Sequence, residues 1–162
     1  MDKRRGKIKN MKKVFKFLNP GKLIDNDLEL VLTKKIPEDT EKGYFPAYKF
    51  EMRNSKTEER MGDITLRVGN NENTKYGGHV GYGVDEKFRG HHYAARSVKL
   101  LLSLAKKHSI NPLWITCNPD NTASIKSLEI AGGEMVEIVD LPKHNEQYQR
   151  GERKKCRYKF DL

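Results

Sequence analysis

Apolar and polar residues alternate in three runs in the first half of the chain. The runs cover residues 28–33, 48–53 and 61–68; every second residue is apolar in the first two, and Ile64, Leu66 and Val68 alternate in the third. This period of two is typical of a strand that buries one face. Asn and Gly at 69–71 end the third run as a turn. The pattern predicts three neighbouring strands that form an antiparallel meander.

A fourth strand is predicted at residues 79–84, and it contains Gly81 and Gly83. Glycine inside a strand marks either a bulge or a close approach of the backbone to a ligand. From Ala94 the apolar residues recur at helical spacing, which predicts a long helix that ends at 109–112. This region is therefore expected to be a strand, a short loop and a helix.

The second half of the chain continues with alternating elements. An apolar run at 113–117 predicts a central strand. Asp120 or Asn121 then caps a short helix that Gly132-Gly133 ends, and strands follow at 135–141 and 156–162. This order predicts an α/β (mixed α+β) fold, with a central mixed, mostly antiparallel sheet of about seven strands flanked by helices.

Excess positive charge lies at the two ends of the chain. The net charge is +10. Residues 1–23 contain nine Lys or Arg and one acid, residues 143–162 contain seven and three, and residues 24–142 are nearly balanced with 16 and 18. We therefore expect a basic N-terminal extension, 1–23, disordered over 1–10 and helical over 11–18, followed by one domain at 24–162. The near-neutral middle makes nucleic acid an unfavoured partner.

The two cysteines, Cys117 and Cys156, lie in apolar strand-like runs without metal-ligand or redox-motif spacing. They are expected to be buried free thiols in a reducing compartment, and no metal site is predicted. No apolar run approaches the roughly 20 residues that cross a bilayer, and the N-terminus lacks the apolar stretch of a secretory signal. The predicted location is the cytoplasm.

The junction between the glycine-containing strand and the long helix is a candidate anion site. The start of a helix offers free backbone N–H groups and the positive end of the helix dipole, which together bind phosphate. Arg89 adds a charge just before the helix, and Gly90 and Ala94 are small enough to let a ligand reach the backbone. Ordinary connecting structure remains an alternative.

This junction resembles the pyrophosphate loop of the GNAT acetyltransferase family, whose pattern is Arg or Gln, two residues, Gly, one residue, and then Gly or Ala. Arg89 and Ala94 match the ends of that pattern, and His92 replaces the Gly between them. The resemblance runs from about Leu28 to Leu141 and includes Asn118 to Ser124. The branch it is most similar to is the ribosomal-protein acetyltransferase type.

The resemblance implies an N-acetyltransferase that uses acetyl-CoA as acyl donor and an amine as acceptor. It implies that the backbone of one strand holds the pantetheine arm, that the following loop holds the pyrophosphate, and that an Asn contacts the pantetheine. The implied cofactor-binding residues are Tyr82, Gly83, Val84, Arg89, Gly90, His91, His92, Tyr93, Ala94 and Asn121. The substitution by His92 predicts a weaker cofactor affinity.

The resemblance also suggests the acid that protonates the departing sulfur. Many relatives use a Tyr for this role, and Leu128 stands at that position here. Ser124 is the predicted catalytic hydroxyl, although a local hydrogen bond in the first turn of its helix explains it equally well. The general base is open among Asp85, Glu86 and His79.

Two alternatives to an acetyltransferase stay open. One is a non-catalytic module that binds acyl-CoA, which the departures at His92 and Leu128 favour. The other is a binder of nucleic acid or an anionic surface that uses the basic termini. A homodimer is one option for assembly. The acceptor cannot be identified, because residues 37–46 form a short loop where relatives have helices.

Overall fold

A computed structural model describes residues 14–162, which form two antiparallel sheets. The first sheet has five strands in sequential order, and each pairs with the next. Its strands are β1 (Leu23–Asp25), β2 (Leu28–Ile36), β3 (Ala47–Asn54), β4 (Arg60–Arg67) and β5 (Val80–Val84). The predicted meander corresponds to β2, β3 and β4.

The second sheet has three strands in the order β6-β8-β7, and a set of helices connects and flanks the sheets. Its strands are β6 (Leu113–Cys117), β7 (Glu134–Asp140) and β8 (Lys154–Phe160). The helices are α1 (Glu72–Gly77), α2 (Tyr93–Lys107), α3 (Thr122–Ile130) and α4 (Glu146–Gln149), with a 3-10 turn at Glu86–Phe88.

The core lies between the first sheet and α2. Leu32, Phe50, Ile64 and Tyr82 stand opposite one another across β2 to β5, so one face of the sheet is apolar along its width. Residues of this face and of α2, such as Val98, belong to one buried apolar cluster. The period-two pattern thus selects the face that α2 covers, because consecutive strand residues point to opposite faces.

The predicted fold class is confirmed, and residues 14–162 contain eight strands that form two antiparallel sheets and not the single mixed sheet that was expected. The sequence pattern missed β1, α1 and α4, each of which has six residues or fewer. Such short elements carry too few residues to show a period. Within residues 14–162 all recorded strand ladders are antiparallel, and no helix is long and apolar enough to span a bilayer.

The predicted helix at 11–18 is wrong for residues 14–18, which are not helical, and its first three residues lie outside the described part of the chain. The expected disorder of 1–10 also lies outside it. The Leu18 N–H donates to the Tyr48 hydroxyl at 2.7 Å, and the Phe17 ring packs edge-on against Tyr48. Aromatic contacts with the core therefore replace the local hydrogen bonds of a helix.

The two sheets meet where β5 and β6 begin. The backbone N–H of His79 donates to Trp114 O at 2.7 Å, and the Trp114 N–H donates to Nδ1 of the His79 ring at 2.9 Å. Gly78 has a φ of +68°, and a Cβ there would lie 2.8 Å from the Trp114 oxygen. Gly78 therefore permits the close contact that fixes one sheet against the other.

Candidate functional site

A cleft separates β5 from β6 beyond their contact at His79 and Trp114. In the described part of the chain no ladder joins the two strands. The cleft contains a cavity of about 260 Å³, which we call the smaller cavity. Its walls come from the ends of β4, β5, β6 and β8, the start of α3, and the segment between β7 and β8: Arg67, Gly77, Val80, Gly81, Tyr82, Thr116, Cys117, Asn118, Asn121, Ser124, Gln147, Glu152 and Lys155.

Tyr82 and Ser124 face each other across the cleft. The Tyr82 hydroxyl donates to Ser124 Oγ at 3.2 Å, although the two residues are 42 positions apart. Burial raises the pKa of Tyr82, and it stays protonated at neutral pH. Asn121 Oδ1 accepts the Ser124 backbone N–H at 3.1 Å, so the predicted helix cap is present. The structure thus brings Ser124, Asn121 and Tyr82 together at one cavity.

The glycines of β5 do not form a bulge. Val80 to Val84 pair with β4 in continuous antiparallel register. A Cβ at Gly83 would meet nothing within 4 Å. Of the two explanations for these glycines, close approach of a ligand is the one that remains. The space beside Gly83 is open to such a ligand.

The loop before α2 exposes a run of backbone donors. Gly90 and His92 take positive φ angles of +92° and +59°, and His92 caps α2 without a side-chain hydrogen bond. Among residues 14–162, the six N–H groups from Gly90 to Ala95 have no recorded protein acceptor. Successive free N–H groups in such a loop form a concave anion site. The first turn of α2 contains no acidic residue, so this site is suited to phosphate.

The side chains of the same loop serve different purposes. Arg89 is exposed, and its Nε donates to Val84 O at 3.2 Å. His91 and His92 are also exposed, whereas Tyr93 and Ala94 are buried. A ligand at this loop would therefore meet backbone groups and exposed side chains, while the last two residues fix the helix in the core.

The conformation of His92 explains why relatives have Gly here. A φ of +59° is left-handed, and a residue with a Cβ pays about 1–2 kcal/mol to adopt it. The exposed ring lies at the loop surface and does not block the six N–H groups by a recorded hydrogen bond. The substitution therefore changes strain in the loop and leaves its backbone path intact.

The candidate general bases differ in position. His79 is 4% exposed and uses Nδ1 to accept the Trp114 N–H, and burial lowers its pKa to about 4. This ring is a structural link between the sheets and cannot reach a substrate. Asp85 contacts Arg60 at 3.5 Å and Glu86 is exposed, and neither lines the cavity.

Six polar residues of the cavity were missed from the sequence: Arg67, Thr116, Asn118, Gln147, Glu152 and Lys155. Glu152 supplies the carboxylate of the cavity wall. Nζ of Lys155, a residue that is 7% exposed, donates to Glu152 Oε1 at 2.9 Å. Burial raises the pKa of Glu152, but hydrogen bonds from Lys155 and Asn118 outweigh that effect and the net pKa is lowered. Asn118 Oδ1 is buried and has no hydrogen-bond partner in the described chain. No sequence signal links these residues, because chain folding alone brings β8 beside β6.

The cysteines are buried free thiols, as predicted. Cys117 and Cys156 are cross-strand partners, and Cys117 lines the cavity. Burial raises the pKa of Cys117 to about 11, so its thiol is protonated at neutral pH. A nucleophilic role for this cysteine is therefore disfavoured.

Leu128 cannot stand in for the Tyr of relatives. It is fully buried and packs in the apolar core. Its side chain therefore fills space under α3 and does not enter the cleft. The Tyr82–Ser124 pair is the hydroxyl system that the cavity provides.

A larger cavity of about 690 Å³ adjoins the smaller one, and the two share Arg67, Gly77 and Gln147 in their walls. It lies under the 37–46 loop, α1 and the segment that contains α4. Residues 144–147 and Arg150 line it, so the segment between β7 and β8 forms one of its walls.

Two antiparallel sheets that part over a cavity, and a long helix whose start lacks a side-chain cap, define an α/β domain suited to a phosphate-bearing ligand. A family model described as an acetyltransferase (GNAT) domain matches residues 8–134. The chain therefore belongs to the GNAT acetyltransferase family. This match confirms the predicted family.

Solved structures of acetyltransferases share the fold at low sequence identity. A ribosomal-protein-alanine acetyltransferase from Vibrio fischeri is 19% identical with a TM-score of 0.56, over 71% of this chain and 61% of that chain. A ribosomal-protein α-N-acetyltransferase in complex with coenzyme A is 15% identical with a TM-score of 0.63, over 87% and 98%. A microcin self-immunity acetyltransferase in complex with acetyl-CoA and AMP is 14% identical with a TM-score of 0.55, over 72% and 61%.

The extent of these matches differs. The chain spans 61% and 65% of the first two structures, the second being an acetyltransferase from Bacillus anthracis. No curated protein matches the sequence significantly. The structures therefore establish the fold, and their substrates belong to those proteins.

Proposed function

We propose that the chain transfers the acetyl group of acetyl-CoA to an amine by direct attack of the amine on the thioester. The observation that carries this proposal is the run of six N–H groups from Gly90 to Ala95, which have no recorded acceptor in residues 14–162 and follow β5, the strand that supplies Tyr82 of the Tyr82–Ser124 pair. Family membership supports it. Such a site binds an anionic group at the loop and leaves room for a thioester in the cleft.

The cofactor contacts follow from this arrangement. The N–H groups of Gly90 to Ala94 bind the pyrophosphate, and Arg89 adds a positive charge at the same loop. The backbone of Tyr82 to Val84 binds the pantetheine arm as an added strand would, in the space that Gly83 leaves open. Asn121, whose Oδ1 caps α3, lines the cleft and keeps its amide nitrogen for the pantetheine.

The polar wall of the smaller cavity assists the proton transfers. An alkylamine with a pKa of about 10.4 is charged at neutral pH and must lose a proton before attack. The pKa of Glu152 is lowered, so its carboxylate is ionised and is a weak base. We propose that Glu152 attracts the ammonium form of the acceptor and that water carries away its proton before attack.

Ser124 donates a hydrogen bond to the departing thiolate, which takes up a proton from water, and Tyr82 holds Ser124 in place through the 3.2 Å hydrogen bond. A thiol has a pKa of about 8.5, so the thiolate is already a tolerable leaving group and this assistance is modest. The effect of Ser124→Ala on kcat is therefore expected to be smaller than that of Glu152→Gln.

Melting with and without acetyl-CoA tests cofactor binding. A ligand at 100 times its Kd adds about 2.7 kcal/mol to the free energy of unfolding. Absence of a shift at millimolar acetyl-CoA would refute the proposal. A shift without thiol release across amines, polyamines, aminosugars and peptide N-termini would instead indicate a non-catalytic acyl-CoA-binding module.

The remaining assignments concern the setting of the protein. A single domain at 24–162 agrees with the one apolar cluster that extends from Leu23 to Phe160. Two free cysteines support a reducing compartment, and we place the protein in the cytoplasm. A homodimer through the exposed apolar residues of β7, Met135, Val136 and Ile138, is checked by light scattering. We assign no nucleic-acid partner, and a mobility-shift assay tests that choice.

A further inference from the structure

A positive charge lies at the boundary between the two cavities. Arg67 is the last residue of β4, and it projects from the face of the sheet opposite to that of its buried neighbour Leu66. It lines both the smaller and the larger cavity. Any acceptor that occupies the larger cavity and extends its amine into the cleft must therefore pass this guanidinium.

Backbone carbonyl groups hold one edge of this guanidinium. Nε donates to Gly78 O at 3.3 Å, and Nη2 donates to Gly77 O at 2.8 Å. A guanidinium has five N–H donors, so three remain, two on Nη1 and one on Nη2. The end formed by Nη1 and Nη2 is the edge that binds a carboxylate with two parallel hydrogen bonds.

This free end faces a position without a side chain. A Cβ placed at Gly81 of β5 would lie 3.4 Å from Nη1 and 3.8 Å from Nη2. Since Gly81 also lines the smaller cavity, the absence of a Cβ leaves space beside the guanidinium at the cleft. The backbone carbonyls fix the orientation of Arg67, and the glycine keeps its outer edge accessible.

The charge of Arg67 has no partner in the described part of the chain. Its guanidinium lies within 4.0 Å of no carboxylate of residues 14–162, whereas Arg96, for example, pairs with both Asp25 and Asp27. Burial lowers the pKa of Arg67, and no carboxylate offsets that effect. A desolvated charge without a counter-ion is unfavourable in a folded protein. An anionic ligand would remove this penalty.

We propose that Arg67 binds a carboxylate of the acceptor, which makes the acceptor a small molecule that carries both an amine and a carboxylate. This inference rests on the proposed acetyl transfer. The amine is received by Glu152 in the smaller cavity, the carboxylate by Arg67 at the boundary, and the remainder by the larger cavity. A volume of about 690 Å³ is within the usual range for a small-molecule site.

A purely structural role for Arg67 is the alternative, because its two hydrogen bonds also hold the end of α1. The two roles differ in what removal of the charge would change. A structural residue affects all ligands of the cavity alike through stability. Removal of a carboxylate-binding residue changes the ratio of the affinities for a carboxylate ligand and for its uncharged analogue.

Binding of product analogues distinguishes these roles. The full-length protein, saturated with coenzyme A, is titrated with N-acetyl-leucine and with N-acetyl-leucine methylamide while melting is followed. The same titration is repeated for further N-acetyl-amino acid and methylamide pairs. We expect at least tenfold tighter binding of the acids by the wild type. Arg67→Met should remove this preference, and Arg67→Lys should retain a reduced one.

Arg150→Met is the matched control, because Arg150 lines the larger cavity but its side chain is 66% exposed and paired with Glu152. This variant should keep the preference for the acid. The proposal would be refuted if the wild type bound the acid and the methylamide equally well, or if it bound neither of them. A preference that survives in Arg67→Met would do the same, and Arg67→Lys supplies the comparison if Arg67→Met does not fold.

Acetyl transfer gives a second readout. Amino acids should be better acceptors than their amides, and Arg67→Lys should raise KM for the amino acid with little change in kcat. If Arg67 instead makes succinyl-CoA a better donor than acetyl-CoA, the carboxylate belongs to the acyl chain and our assignment is wrong. Failure of the proposed function is separate, since it appears as no melting shift with coenzyme A alone.

Discussion

The buried ring of His79 makes the stability of the protein depend on pH. The ring accepts the Trp114 N–H at 2.9 Å and also forms a hydrogen bond with the Gly69 backbone, so it joins the two sheets beside the cleft. It is 4% exposed, and burial lowers its pKa to about 4. An unfolded chain would instead give it the ordinary pKa of about 6.5.

The sign of the effect follows from proton binding. Between about pH 6.5 and 4 the unfolded chain binds a proton at His79 and the folded protein does not, so stability falls as the pH falls through this range. A difference of about 2.5 pKa units corresponds to about 3 kcal/mol when complete, and about 2 kcal/mol of it is lost between pH 7.5 and pH 5. Above pH 7 the full contribution is present.

Urea unfolding at pH 7.5 and pH 5 measures this contribution in the wild type and in His79→Asn. The Asn oxygen can accept the Trp114 N–H but does not titrate. We expect His79→Asn to be less stable at pH 7.5, and its disadvantage to shrink by about 2 kcal/mol at pH 5. His144→Asn, whose side chain is 75% exposed, should follow the wild type. Equal pH dependence in the wild type and His79→Asn would show that the ring is not held neutral by the fold.

Three further substitutions test local features. Gly78→Ala should lower the free energy of unfolding by about 2 kcal/mol or more, because a Cβ there is strained by the positive φ and clashes with backbone atoms. Gly83→Ala, with open space around the new Cβ, should change the free energy of unfolding by less than about 1 kcal/mol. Urea unfolding midpoints of the two variants compare these effects. His92→Val should lower the free energy of unfolding by about 1–2 kcal/mol and His92→Gly should not lower it, as measured by melting. A valine variant more stable than the glycine variant would contradict the left-handed φ. Leu128→Tyr should destabilise by about 1–3 kcal/mol and leave kcat no higher, and a rise in kcat would show that the residue reaches the cleft.

Local patterns led to the helices and strands that are long enough to show a period. The alternation in β2, β3 and β4 and the helical spacing in α2 each gave the correct element type, since each residue pattern reflects burial of one face. The cap of α3 by Asn121 was also readable, because it depends on residues three positions apart. The segment at 14–18 was not, because its contacts are with Tyr48.

In the candidate site, too, local features were predictable from the sequence and contacts between distant residues were not. The loop before α2 was predictable from the sequence, because a phosphate site there needs only consecutive backbone N–H groups and a helix start. The walls of the cleft depend on the tertiary structure. Tyr82 meets Ser124 over 42 residues, Glu152 reaches the cavity through the pairing of β8 with β6, and Arg67 becomes an unpaired charge only when α1 and the sheet bury it. Contacts over such separations depend on how the sheets pack, and no short stretch of sequence contains that information.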